Sequence, residues 1–337
     1  MSEVTKDGIE GARPPREAIT GVNANGGGRA GKGNRGEQPM VPKASFESYY
    51  GMPILNGPVW HSPEIPGYLF LGGLAGASSV LALAADLTGR RELATRTKVV
   101  ATGAIGLSAV ALVADLGKPS RFYNMLRVLK PTSPMSVGSW ILAAYSPAAA
   151  VAAGTGVFRR LPRLGALASA GAAALGPAVA TYTAALIADT AIPAWHDGFR
   201  ELPFVFAGSS ATAAGGLALI TSPTDQTTPA RRLALMGAAV EAVAARRMEQ
   251  RLGMAAEPYH KGTPGRLMKT GQAAAAAGLV LAFAGRRNRL VSALAGASLA
   301  AAAAFTRFGI FEAGKQSAAD PKYTVEPQRQ RRGAGDD

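Results

Sequence analysis

The chain contains no cysteine. It can therefore hold no disulfide, no thiolate zinc site and no iron-sulfur cluster of its own, and any cluster that works with it must sit in a partner. Histidine is nearly absent as well. His61, His196 and His260 are the only three in 337 residues, and all fall between apolar segments. No histidine pair occupies the interior of two spans, so a buried bis-histidine haem b is not expected and the chain reads as haem-free. Charge is sparse, at 17% of residues. It also leans one way, with 36 Lys+Arg against 22 Asp+Glu and a net charge of +14. Such a balance can mark a nucleic-acid binder, but the cations sit in pairs beside apolar runs: Arg90 and Arg91, Arg159 and Arg160, Arg231 and Arg232, Arg286 and Arg287. Snorkelling at lipid headgroups and the positive-inside rule account for that pattern, and no nucleic acid is expected.

What the chain does have is long apolar runs. Hydrophobic residues make up 48% of it, and 41 glycines are spread through it. Apolar segments fall at residues 66–87, 99–116, 135–158, 164–192, 202–220, 231–246, 268–285 and 290–310. Stretches near 20 residues match a hydrocarbon core of about 30 Å. The expected fold is all-α: a polytopic membrane bundle of about eight transmembrane helices behind a disordered N-terminal arm. The sixth segment is the exception, because only 233–245 lies between its arginines, roughly 20 Å of helix, and Glu241 interrupts it. If that segment lay on the surface, the C-terminus would change sides.

Boundaries follow from composition. Residues 1–47 are polar and rich in glycine, with too little apolar surface to fold alone. Residues 48–65 add aromatics and prolines and read as an ordered surface segment, 66–311 form the membrane domain, and 312–337 are a polar tail. No apolar run precedes Pro66, so a cleaved signal peptide is not expected. With eight spans both termini share one face, here called the terminal face. The opposite loops are short and basic, which places the termini, and any partner bound beside them, outside the cytoplasm of a cell membrane.

Ionisable residues in or at the edge of a bilayer are costly and mark functional sites. His61, Glu64, Asp115, Asp189, Arg307 and Glu312 all map towards the terminal face, with Trp140 and Tyr145 in helix three, whereas Asp86 and Glu241 lie elsewhere. Acids, a histidine, tyrosines (Tyr68, Tyr145, Tyr182) and a tryptophan opening towards one surface suit a quinone headgroup. Its carbonyls need hydrogen-bond donors, its ring needs apolar walls and its reduction needs two protons. Asp115, Asp189 and Glu241 are the candidate proton relays.

One stretch is unlike a simple connection: "DLGKPSRFYNMLRVLKPTSPMSVGSWIL" crowds Lys118, Arg121, Arg127 and Lys130 between Asp115 and Trp140. With "PVWHSPEIPGYLFLGGLAGAS" and "DTAIPAWHDGFRELPFVFAGSSATAAGG", it resembles the NrfD family of membrane subunits, of the polysulfide reductase type. The resemblance covers roughly residues 48–311. It implies an eight-helix, haem-free subunit that binds menaquinone or ubiquinone. It also implies a ferredoxin-like iron-sulfur partner and a molybdenum or tungsten bis-molybdopterin catalytic subunit. The matching quinone positions are Asn56, His61, Tyr68, Asp115, Arg121, Trp140 and Tyr145. High Ala, Gly and Arg usage suggests a GC-rich genome and favours menaquinone. The loop from Lys118 to Lys130 is then the docking surface for the iron-sulfur partner. Two other readings stand beside this one: a secondary transporter, and an ion-translocating anchor without quinone chemistry, in which Glu241 and Asp86 would serve unless they pair with arginines such as Arg231 or Arg90.

Overall fold

The computed structural model describes residues 54–55, 57–116 and 118–333, together with two short antiparallel strands, β1 (Val4–Thr5) and β2 (Gly8–Ile9). Most of the arm expected to be disordered, the start of the 48–65 surface segment and Asn56 lie outside the described residues. Among the described residues the long helices are α1 (Glu64–Leu87), α2 (Arg91–Asp115), α4 (Pro134–Phe158), α5 (Pro162–Ala188), α7 (Leu202–Thr221), α8 (Thr228–Leu252), α10 (Gly262–Ala284) and α11 (Arg289–Ala319). Single turns α3 (Phe122–Met125), α6 (Pro193–His196) and α9 (Glu257–His260) lie in the connections, and α12 (Lys322–Gly333) gives the polar tail a helical stretch. The all-α polytopic bundle is as the sequence predicts, and seven of these helices are long and apolar enough to cross a bilayer. The chain divides into two compact units; residues 59–314 hold the bundle, and the second takes in residues 315–333.

Two helices depart from the apolar runs that announce them. α2 starts at Arg91, two turns before its apolar run, because Leu93, Ala94, Thr97 and Lys98 are buried there. The Lys98 ammonium reaches 2.6 Å from Asp86 on α1. The chain can reverse tightly between the two helices because Gly89 takes a φ of 72°, a left-handed conformation that glycine adopts without penalty. α8 has 25 residues, about 37 Å, well beyond the stretch between its arginines. It runs antiparallel against α7: Gly215 meets Ala230 and Ala234, and Gly208 meets Gly237 and Glu241, while Gly198 in the connection before α7 meets Met248. The sixth segment therefore matches the depth of its neighbour, although it is not among the seven apolar helices.

The bundle is closed by backbones in near contact. A Cβ at Gly76 on α1 would lie 2.3 Å from the Gly176 carbonyl on α5, and one at Gly216 on α7 would lie 2.7 Å from the Gly296 carbonyl on α11. Without a hydrophobic drive between helices in lipid, such close approach supplies the packing energy. At the opposite face, arginines satisfy the carbonyls that helix C-termini leave unpaired. Arg289 Nη1 donates to Leu219 O at 2.8 Å and Ser222 O at 2.7 Å, Arg96 donates to Thr221 O, and Arg231 Nε donates to Ala282 O at 2.9 Å. Gly76→Val should destabilise the bundle by about 1–3 kcal/mol through overpacking, read as a lowered Tm in detergent. Gly103→Val should leave Tm nearly unchanged, because a Cβ there meets nothing within 4 Å.

Candidate functional site

At the terminal face the segment before α1 is tied to the end of α2. The His61 backbone N–H donates to Asp115 Oδ1 at 3.1 Å, and His61 Nδ1 lies 3.1 Å from the same oxygen. The histidine side chain is 73% exposed and the aspartate 12%, so the pair has one foot in solvent and one in the bundle. With Nδ1 committed to the carboxylate, Nε2 remains available to an outside partner. Close by, Glu64 Oε2 is enclosed and has no hydrogen-bond partner among the described residues.

Further in, α1, α2, α4 and α5 converge. The Tyr68 and Tyr182 hydroxyls bond to each other, and both side chains are buried. Ser108 Oγ donates to Tyr68 O at 3.2 Å. Gly138 on α4 makes room for the Tyr182 ring, since a Cβ there would lie 2.4 Å from Cε2. Trp140, two residues on, is 42% exposed. Tyr145 lies deeper and is fully enclosed: its hydroxyl donates to Ala75 O at 2.7 Å and pairs with Ser79 Oγ at 2.7 Å. Both functions of that hydroxyl are engaged, which makes it a strut between α1 and α4.

The connection from α2 to α4 is folded but exposed. A single 3-10 turn (Pro119–Arg121) leads into α3. Ser136 pins the far end, accepting from Lys130 N at 2.9 Å and donating to Val128 O at 2.9 Å. Lys118, Arg121, Arg127 and Lys130 are all exposed, with no ion-pair partner among the described residues. Tyr123, Val128 and Leu129 beside them are 75%, 66% and 60% exposed.

The other terminal connections are locked together. Trp195 on α6 is buried between Trp60 and Phe311, with ring centroids 5.7 and 5.8 Å away, and its Nε1 donates to Ile310 O at 2.8 Å. Tyr259 on α9 donates to Ala194 O at 2.8 Å. Arg251 Nε donates to Glu201 Oε1 at 2.8 Å.

Not every sequence-predicted residue joins this assembly. Asp189 caps α5 and is exposed there. Glu241 sits midway along α8, accepting from Thr306 Oγ1 at 2.6 Å. Beside Thr306, the buried Arg307 guanidinium lies 3.6 Å from the Phe206 ring centroid and donates to Phe206 O at 2.7 Å and Ser210 Oγ at 2.8 Å. Asp86 has its own cluster near the opposite face, with Lys98 and with Ser169, which donates to it at 3.1 Å. Neither acid pairs with the arginines considered for it: the partner of Asp86 is Lys98 and that of Glu241 is Thr306. Lys98 went unread because it lies in the polar run before the apolar core of α2, and Thr306 because a hydroxyl inside an alanine run carries no signal of its own.

The bundle and its one-sided polar assembly define a multi-pass, helical membrane protein. The polysulphide reductase, NrfD family model matches residues 52–247, more than half of the chain, and the chain belongs to that family. A comparison with curated proteins finds no match. The matched region runs from the approach to α1 through most of α8, so it includes His61, Tyr68, Asp115, Trp140 and Tyr145 and stops short of α10 and α11.

The hydrogen bond from Arg251 holds the Glu201 carboxyl below its ordinary value of 4.5. A lowered folded-state pKa means stability that is present above the unfolded value and lost as pH falls through the folded one. The Tm gap between the parent and Glu201→Gln should be largest near neutral pH and close below pH 4.5, as followed by thermal scans across a pH series.

Proposed function

We propose that the chain is the membrane anchor and quinone-reactive subunit of a multisubunit oxidoreductase, passing electrons between an iron-sulfur partner and the quinone pool of a cell membrane. The observation that carries this reading is the His61–Asp115 pair at the terminal face, with a Glu64 oxygen beside it that has no partner among the described residues and the Tyr68–Tyr182 pair joining α1 to α5. A quinone supplies two-electron, two-proton chemistry, and its headgroup needs donors at its oxygens and a path for protons. His61 Nε2 can donate to a carbonyl oxygen while Nδ1 stays on Asp115. The exposed histidine links Asp115 to water, so the pair can pass protons between the headgroup and solvent. Trp140 offers an apolar wall, and Tyr68 and Tyr182 stiffen the surrounding helices; Asn56, outside the described residues, is a further candidate from the sequence. Menaquinone is the favoured quinone.

The exposed cations of the α2–α4 connection, interleaved with Tyr123, Val128 and Leu129, suit a docked protein better than headgroups alone, because aromatic residues and arginine are enriched at protein interfaces and apolar side chains fill their centre. That partner is a ferredoxin-like iron-sulfur subunit, carrying in turn a molybdenum or tungsten bis-molybdopterin catalytic subunit. This assembly sits on the extracytoplasmic side in our reading, which the short basic loops of the other face support.

Purification in mild detergent, with co-purifying proteins identified by mass spectrometry and lipids extracted for quinone, tests the whole reading. Iron-sulfur and molybdopterin subunits arriving with quinone support it, and a clean chain without quinone sinks it. Arg121→Glu with Arg127→Glu should release the partner while Tm stays at the parent value; a complex that survives both charge reversals refutes the docking surface. Asp115→Asn should slow quinone-linked turnover in membranes by about tenfold or more, and unchanged turnover removes Asp115 from the proton path.

A further inference from the structure

A cavity of about 570 Å³ opens between α8 and α10, and Glu241, Thr306, Gln272, Met268, Leu235 and Leu279 contribute to its lining. Its α10 wall is low because Gly271, Ala275 and Ala276 occupy it. Leu235 at its edge is 44% exposed, and Gln272 and Ala276 are exposed too. These residues lie within the depth of the helices, so the mouth faces hydrocarbon, and whatever enters comes sideways from the bilayer.

The floor is polar. Glu241 lines the cavity with Thr306 donating to its Oε1 at 2.6 Å. Behind them, Arg307 Nη1 is fully enclosed and has no hydrogen-bond partner among the described residues. Arg246 and Glu249 also line the cavity, at its end nearer the terminal face, so it is mostly apolar from Leu235 up to Glu241 and charged beyond. Polar groups inside the bundle are costly, and a largely apolar cavity that leads to them has the form of a ligand site.

Depth selects the ligand. Glu241 lies 9 residues after Arg232 and 5 before Arg246, hence about 14 Å and about 8 Å from the arginines that bracket the apolar stretch of α8. A phospholipid headgroup is strongly polar and stays at the Arg246 level, more than a turn of helix from Glu241. A quinone or quinol headgroup is weakly polar and travels within the hydrocarbon. Its ring and first isoprenoid units fit the 300–1,000 Å³ typical of such pockets. A quinol hydroxyl can donate to the Glu241 carboxyl, and the Gln272 amide can donate to a ring oxygen.

We propose that the α8–α10 cavity is a second quinone-binding site, entered laterally and separate from the His61–Asp115 assembly. It rests on the reading that the chain takes quinone from the membrane. Its α10 and α11 walls lie beyond the residues that match the family.

The test is photolabelling of the full chain, with any co-purified subunits, in lipid nanodiscs. The probe is an azido-naphthoquinone with a short isoprenoid tail, and labelled peptides are mapped by mass spectrometry. The expected result is label on α8 near residue 241 and on α10 near residue 275, displaced by excess unlabelled naphthoquinone. Ala275→Phe should abolish that label and leave any label beside His61 and Asp115 in place; Leu235→Trp provides the same block if the first variant fails to fold. Glu241→Gln should raise the half-saturating probe concentration at this cavity at least fivefold, with unchanged Tm. Label confined to the terminal face overturns the second site and leaves the proposed function standing. Label confined to α8 and α10 supports the second site and removes the terminal one. No label at either place overturns both. A photoactivatable phosphatidylcholine that labels the same α8 and α10 peptides and resists displacement by naphthoquinone also overturns it, since the cavity would then hold an acyl chain.

Discussion

Close contact between helix backbones is the constraint on which everything else in this bundle depends. In lipid, helices gain little by hiding apolar surface from one another, so they must gain from packing and from polar contacts that open only at short range. Gly76 against Gly176 joins α1 to α5, Gly208 against Gly237 joins α7 to α8, and Gly216 against Gly296 joins α7 to α11. Close approach also brings some hydroxyls within reach of a partner on the next helix. Ser79 can pair with Tyr145 because α1 and α4 are held close around it, and the Tyr68–Tyr182 pair is possible because α1 lies directly on α5.

The same closeness sorts the polar groups into separate stations. His61 and Asp115 meet at the terminal face, Tyr145 and Ser79 lie deeper, and Lys98, Asp86 and Ser169 gather near the opposite face. Glu241, Thr306 and Arg307 form a further group among α7, α8 and α11. Each is satisfied largely within itself, as buried polar groups must be. Among the described residues eight buried side-chain polar atoms have no hydrogen-bond partner, and two of them, Glu64 Oε2 and Arg307 Nη1, stand beside the two places where a ligand is inferred.

Much of the fold was legible because the bilayer imposes a length, and a run of apolar residues announces itself whatever it packs against. The gathering of His61 and Asp115 on one face was legible for the same reason, since counting spans decides which helix ends share a side. What stayed hidden depends on partners far away in the chain. Lys98 reads as part of a polar loop until Asp86 is brought beside it across the Gly89 turn. Tyr145 reads as a donor for a ligand until Ala75 and Ser79 take both sides of its hydroxyl. α8 reads as too short and too charged to span until α7 is brought against it, where Gly215 and Gly208 receive it from Ala230 to Glu241. Arg307 carries no sign in the sequence that its guanidinium will lie against Phe206.

The three tryptophans have a consequence of another kind. Trp60 precedes α1, Trp140 stands in the second turn of α4 and Trp195 lies in α6, so all three belong to the terminal end of the bundle, and none reports from the opposite face. Trp195 is sealed between two other rings while Trp140 is half open to its surroundings. The protein thus carries a built-in, one-sided optical probe. Its ultraviolet emission combines the sealed Trp195 indole with the more open Trp60 and Trp140, and a subunit or ligand arriving at that end will quench or shift the open ones first.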